Sequence, residues 1–216
     1  LIALALACSG SPEVTPAGPQ APPEVRAGKE GTKLDDHMKE HFRDATIAME
    51  AWVGGNFPSA ESHLGYLAKH PAPKGIPDSA MAHVEKMQEA ALRAATPAAP
   101  SDTARAFADL GAACGGCHEA SGVKPQIVLS DAPKASEDVQ PHMIGHLWAV
   151  RAMWIGLVTN DADVWVRGAT HLSGDPLHGE AFEIGEMPEH LLEFAKSVHA
   201  HGAKARDAED SKARLE

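Results

Sequence analysis

Two thiols and an imidazole fall within five residues at Cys114-Gly115-Gly116-Cys117-His118. Cys-x-x-Cys-His is the attachment signature of a c-type haem. On a helix, positions three and four apart share a face, so Cys114 and Cys117 can reach the two vinyl groups of one porphyrin and bond to them as thioethers. His118 can then turn a ring nitrogen onto the iron as its proximal ligand. Two other chemistries use similar spacing. A thioredoxin-like redox pair needs a βαβ setting, and the chain has no strand–helix alternation. A zinc site needs further ligands to close a tetrahedral shell, and no second Cys pair exists. Haem c is the expected cofactor.

The elements that must position this motif read as helices. The chain is Ala-rich, with few aromatics and few β-branched runs, a composition that favours helix over strand. Thr32 and Asp35 resemble an N-terminal cap, and Leu34, Met38, Phe42, Ala45, Met49 and Trp52 then form one apolar face at helical spacing. Gly54-Gly55 closes that helix. Pro58 opens a second, with Ala60, Leu64 and Leu67 facing inward to about Lys69. A third is expected from Pro77 to Ala95 with Met81, Val84, Met87 and Ala91 inside. Ser101 or Asp102 would cap a fourth, whose stripe is Ala104, Phe107, Leu110, Cys114 and Cys117, stopped by Gly122 and Pro125. Four short amphipathic helices with short loops predict an all-α fold, with an antiparallel four-helix bundle over residues 32–122. Gly115 and Gly116 each cost the helix roughly 0.5–1 kcal/mol relative to Ala; small residues there either let the porphyrin lie close or mark a weak helix that the covalent haem links tolerate.

With Cys-x-x-Cys-His on the last helix and a Met on the first, residues 33–122 resemble the class II c-type cytochromes, the family of cytochrome c prime. Glu119-Ala120-Ser121 stands where that family often has a basic residue. The resemblance implies one covalent haem in a four-helix bundle and, when a sixth ligand is present, a Met from the first helix. Met38 is then the leading distal ligand. His41, at the edge of the same stripe, is the alternative, because imidazole binds iron strongly. Two protein ligands would leave electron transfer as the only use of the iron; an open sixth position would permit binding of a small gas such as NO or CO. An i,i+4 pair, His37 and His41, could instead hold a metal on the helix surface.

The first eight residues, Leu1 to Cys8, read as the end of an export signal. Cys8 after a Leu-Ala-Leu-Ala run resembles a bacterial lipobox, in which that Cys is lipidated, although Ala5 stands where the lipobox usually has Leu. Residues 9–31 are rich in Pro, Gly, Ala and Ser and predict a disordered tether. Of three cysteines, two suit the haem and the third is Cys8, so no structural disulfide is expected. These features predict a lipid-anchored periplasmic protein. A formal charge of −11 argues against nucleic acid and for a redox partner with a basic patch.

The second half repeats the first. His37-Met38-Lys39-Glu40-His41-Phe42 recurs as His142-Met143-Ile144-Gly145-His146-Leu147, an offset of 105 residues. The stripe recurs as Met143, Leu147, Val150, Trp154 and Leu157, and after a short insertion Pro77 aligns with Pro188. A fixed offset implies duplication of one unit. Residues 123–138 are the expected linker and 139–216 a second, incomplete bundle. By the same alignment a second Cys-x-x-Cys-His is expected about 7–9 residues past Glu216, with Met143 and His146 as candidate distal ligands for a second haem. Without its haem helix the second half is expected to pack poorly. His171, His178, His190, His199 and His201 also crowd this half and most read as solvated or core histidines. The four tryptophans, Trp52, Trp148, Trp154 and Trp165, read as core. The function expected from sequence is electron transfer by a membrane-tethered c-type cytochrome; no constellation of an enzyme's active site is present.

Overall fold

A computed structural model describes residues 33–72, 74–96, 98–136, 138–174 and 189–208. Thr32, Cys8, the tether, Pro188 and His178 lie outside them, as do the side chains of Asp35 and His190.

The described residues are helical, with no strand among them. Seven helices follow in order: α1 Lys33–Val53, α2 Phe57–Lys69, α3 Asp78–Ala95, α4 Pro100–Ala120, α5 Val139–Thr159, α6 Ala162–Leu172 and α7 Glu189–Arg206. None of the described helices is long and apolar enough to cross a membrane. Local chemistry accounts for most boundaries. Gly55 takes a left-handed φ of 77° after α1, where a side chain would be strained. Asn56 then caps α2, its side chain accepting from Ser59 N at 3.4 Å. The N-cap of α4 lies two or three residues earlier than its polar residues suggest. Ala99 is the N-cap and Pro100 occupies the first turn, so Ser101 and Asp102 lie inside the helix; a proline preset in φ and lacking an N–H suits that position better than any side-chain cap.

The boundaries recur along the chain. α1 and α5 each have 21 residues, and α3 and α7 each have 18. At the offset of 105, Gly55 meets Asn160, also left-handed with φ 52°. Asn56 likewise meets Asp161, whose carboxylate accepts from Asp163 N and Val164 N to cap α6.

Successive helices pack against one another, and α4 packs on both α3 and α5. One core joins α1 to α4, around Met49, Leu64, Leu67, Met87, Phe107 and Leu110, and it also takes in Trp154 and Val158 of α5. That core therefore crosses into the second half, while a smaller cluster of Trp148, Ala149, Ala152 and Leu172 joins α5 to α6. Trp154 Nε1–H donates to Thr46 Oγ1 at 3.0 Å, a fully interior bond. Arg151, 4% exposed, donates through Nε to Glu50 Oε1 at 2.7 Å and forms an ion pair with it. The expected inward stripe of the second half needs correction. Met143 is 54% exposed, Leu147, Val150 and Leu157 are half-buried, and the buried set includes Gly145, Trp148, Ala149, Ala152, Ile155 and Gly156. α5 is covered by α1 and α4 on one side and α6 on the other, so one stripe does not describe it. Ala104 is likewise exposed while Thr103 and Ala106 are buried.

Trp148, Trp154 and Trp165 are buried and Trp52 is half-buried against Phe107. Trp148 donates to the Ser130 carbonyl and Trp165 to the Ala205 carbonyl, which meets the need of a buried indole N–H for a partner.

Candidate functional site

The helix faces converge on a cavity of about 470 Å³. Met38 and Phe42 of α1, Ile76 and Pro77 before α3, and Cys117 and His118 of α4 form its walls. A small adjoining space of about 40 Å³ adds Cys114, His41 and Met87. Met38, Cys117 and His118 line both spaces, while His41 and Cys114 line the smaller one. The segment after α4, from Val123 to Ile127, closes another wall, and Val158 of α5 completes it. The stretch expected to be only a linker is therefore part of the site.

His118 is held by the second half. Its Nδ1 lies 2.8 Å from the Val158 carbonyl oxygen. A carbonyl only accepts, so Nδ1 carries the proton and Nε2 keeps its lone pair. Burial pulls the His118 pKa down, against a smaller upward push from that hydrogen bond. The ring is accordingly a neutral imidazole with a fixed tautomer, the form in which histidine binds a metal. Val158 has this carbonyl available because it sits in the last turn of α5, where four carbonyls lack helical partners.

Cys114 and Cys117 are free thiols. Burial, with Cys117 adding to it, pushes the Cys114 thiol up to about 12, and burial also raises Cys117. A redox dithiol needs a lowered pKa to supply thiolate; these thiols have the opposite setting. Two neutral thiols and one imidazole acceptor on the wall of a mainly apolar cavity suit covalent retention of a flat apolar group with a ligated metal.

Opposite them, Met38 is half-buried and lines both spaces. His41 is 6% exposed, and both of its ring nitrogens are buried without a hydrogen-bond partner. Burial, then the neighbouring His37 and His70, lower its pKa to about 4 against a smaller opposing effect of Asp44. The three rings of His37, His41 and His70 lie with centroids 4.2, 4.7 and 5.1 Å apart. Nearby, buried Asp44 pairs with His63 Nδ1 at 2.8 Å, joining α1 to α2.

In the second half, His146 is half-buried at the position equivalent to His41, and burial followed by His142, His199 and His171 lowers it to about 4. Met143 points outward. Neither shares a space with His118. His201 is exposed and bonded within its own helix.

The glycines of the motif serve helix contacts. A Cβ on Gly115 would run into the Leu157 carbonyl oxygen, and one on Gly116 would meet the His83 ring. Gly115 thus lets α5 approach α4 rather than making room for a porphyrin. His70, His83, the Val158 carbonyl and the Val123–Ile127 wall were not singled out by spacing. The sequence reading expected a separate second bundle and so no contact between α5 and α1, and no periodicity marks a backbone carbonyl as a partner. Comparison with protein-family models, with curated proteins and with solved structures found no match.

Proposed function

We propose that this chain is a c-type cytochrome that carries electrons through a haem held between α1 and α4 of a four-helix bundle. The observation that carries the reading is His118: its Nδ1 is occupied by Val158 and its Nε2 is free, beside two unpaired cysteines at the attachment spacing. The cavity volume of about 470 Å³ lies within the range of cofactor sites, about 300–1,000 Å³. Cys114 and Cys117 would hold the porphyrin as thioethers, and His118 would ligate the iron through Nε2. Bound there, the haem would supply reversible one-electron chemistry.

His41 is the stronger distal ligand. A buried imidazole with two unpartnered nitrogens forfeits roughly 1–3 kcal/mol per unsatisfied group, and ligation removes one of those losses. Met38 carries no such cost, since a thioether is content in an apolar wall. This reverses the order that the family resemblance implies. The apolar residues around the site would exclude water and so help set the reduction potential. The acidic surface favours a basic partner, with an association rate that falls as salt rises. Residence in the periplasm and a lipid on Cys8 belong to the same reading.

The test is a ferrous optical spectrum of the purified protein with and without CO. Electron transfer predicts covalently attached haem, a six-coordinate low-spin spectrum and no response to CO. Cys114→Ala combined with Cys117→Ala should remove the covalent haem altogether. His41→Ala should open the iron to CO, while Met38→Ala should not. A wild-type Soret shift with CO would instead assign the five-coordinate, gas-binding alternative. Absence of bound haem after expression with a c-type maturation system would end both.

A further inference from the structure

A second imidazole cluster lies apart from the cavity. His142 and His146 on α5 and His199 on α7 each bring one ring nitrogen within 4.8 Å of the others. Their ring centroids are 4.4, 5.0 and 5.4 Å apart. Three imidazoles bound tetrahedrally through nitrogens at about 2.0–2.1 Å from one zinc place their centroids about 5 Å apart. The rings are therefore at coordination spacing, and small side-chain rotations bring the nitrogens to roughly the 3.3 Å separation of one shared tetrahedral shell.

Burial makes the arrangement costly without an occupant. His199 is 7% exposed, and both of its nitrogens are buried with no hydrogen-bond partner; His146 Nε2 is in the same condition. A neutral imidazole always has one N–H and one lone pair to satisfy. His142, by contrast, is only half-buried, and neither of its ring nitrogens is both buried and unpartnered.

The internal repeat adds an independent argument. His142 and His146 match His37 and His41 at the offset of 105, but the third histidine does not follow the repeat. The position equivalent to His199 is Gln88 of α3, and the position equivalent to His70 is Asp175. Gln88 instead donates to the His70 carbonyl at 2.7 Å. Each half thus adds a third imidazole to its inherited pair, from a different element. Core packing asks for no such coincidence; a three-nitrogen ligand set does.

We infer that His142, His146 and His199 form a binding site for a late first-row divalent cation such as Zn²⁺ or Cu²⁺. Imidazole is the ligand type these ions share, and Cu²⁺ is expected to bind more tightly than Zn²⁺. Among the described residues these three side chains are the ones that offer ligand atoms within reach of one ion. The inference stands independently of the haem reading, because none of the three faces the cavity with His118.

Isothermal titration of the full chain, cofactor attached, with ZnCl₂ at neutral pH provides the test. The expected result is one Zn²⁺ per chain at this site, with affinity reduced at least about tenfold in His142→Ala and in His199→Gln. Exposed His201→Ala should leave it unchanged. Zinc should also raise the unfolding temperature of the wild type and of His201→Ala but not of His142→Ala. Because His142 is partly exposed, its variant keeps the test valid should His199→Gln fail to fold. Zinc binding that survives His142→Ala, binding that disappears only with His70→Ala, or no heat of binding at all overturns the proposal. Failure of haem attachment bears on the other reading alone.

Discussion

The two halves share helix lengths, capping positions and a histidine pair on their first helix, yet they surround different spaces. In the first half, α1 faces α4 across a cavity, and His41 shares that space with Cys114, Cys117 and His118. In the second, the equivalent His146 meets His142 of its own helix and His199 of α7. One backbone plan thus surrounds two different sets of side chains, and what differs is the element standing opposite the repeated histidines. The halves also depend on each other: α5 supplies Trp154, Arg151, Val158 and the Leu157 backbone to the first half.

The strongest way to break this comparison is to cut the tie between the halves. Arg151 is buried, and Glu50→Ala would leave its charge without that partner, a change that costs several kcal/mol in an interior. Because Glu50 keeps a fifth of its side chain in water, about 3 kcal/mol is expected, the low end of that range. Calorimetry should show a single unfolding transition moved to lower temperature. Two transitions, only one of them shifted, would mean that the halves are independent units after all.

A smaller effect separates contacts between the halves from contacts within one. Gly115→Ala drives a methyl into the Leu157 backbone, whereas Gly116→Ala meets only the His83 ring. Overpacking against backbone costs about 1–3 kcal/mol, while a side chain can rotate away. Gly115→Ala should therefore lower the urea midpoint clearly more than Gly116→Ala; equal effects would show that helix propensity alone is being measured.

The smallest effect sharpens the comparison through pH. His41 and His146 both lie at about 4 when folded, against 6.5 for the free side chain. Between those values the unfolded chain binds more protons, so the contribution to stability is whole above pH 6.5 and fades as pH falls toward 4. His37, His70 and Asp44 surround the first group, and His142, His171 and His199 the second. In cofactor-free, metal-free protein, denaturation midpoints measured from pH 7 to 4 should fall, and His41→Gln or His146→Gln should each flatten the slope. With haem attached, His41→Gln should no longer change it.

Helix existence was legible in the sequence because apolar spacing, Gly-Gly and Pro punctuation and the repeat all agreed. The placement of Cys114, Cys117 and His118 on one helix was equally legible, and α4 carries all three. Met143 misled because a stripe inherited from α1 assumes one buried face, and α5 is covered on two sides. The start of α4 misled because a proline preset for helix displaced the polar caps. The rest of the site escaped for a different reason. A wall built from an irregular segment, Val123 to Ile127, carries no period, and His199 reaches its partners only through the packing of α7 on α6. Contacts between distant segments have no local signature.

The bond from His118 to the Val158 carbonyl spans 40 residues and crosses from one repeat to the other. A duplicated unit normally leaves a lineage with a spare, free to decay or be deleted. Once the His118 ring of one copy leaned on the other, that freedom ended. Deleting residues 139–208 would remove more than a second site: it would release the orientation of the first. Redundancy has become obligation, and the smallest heritable piece of this protein that retains the complete His118 setting is both repeats together.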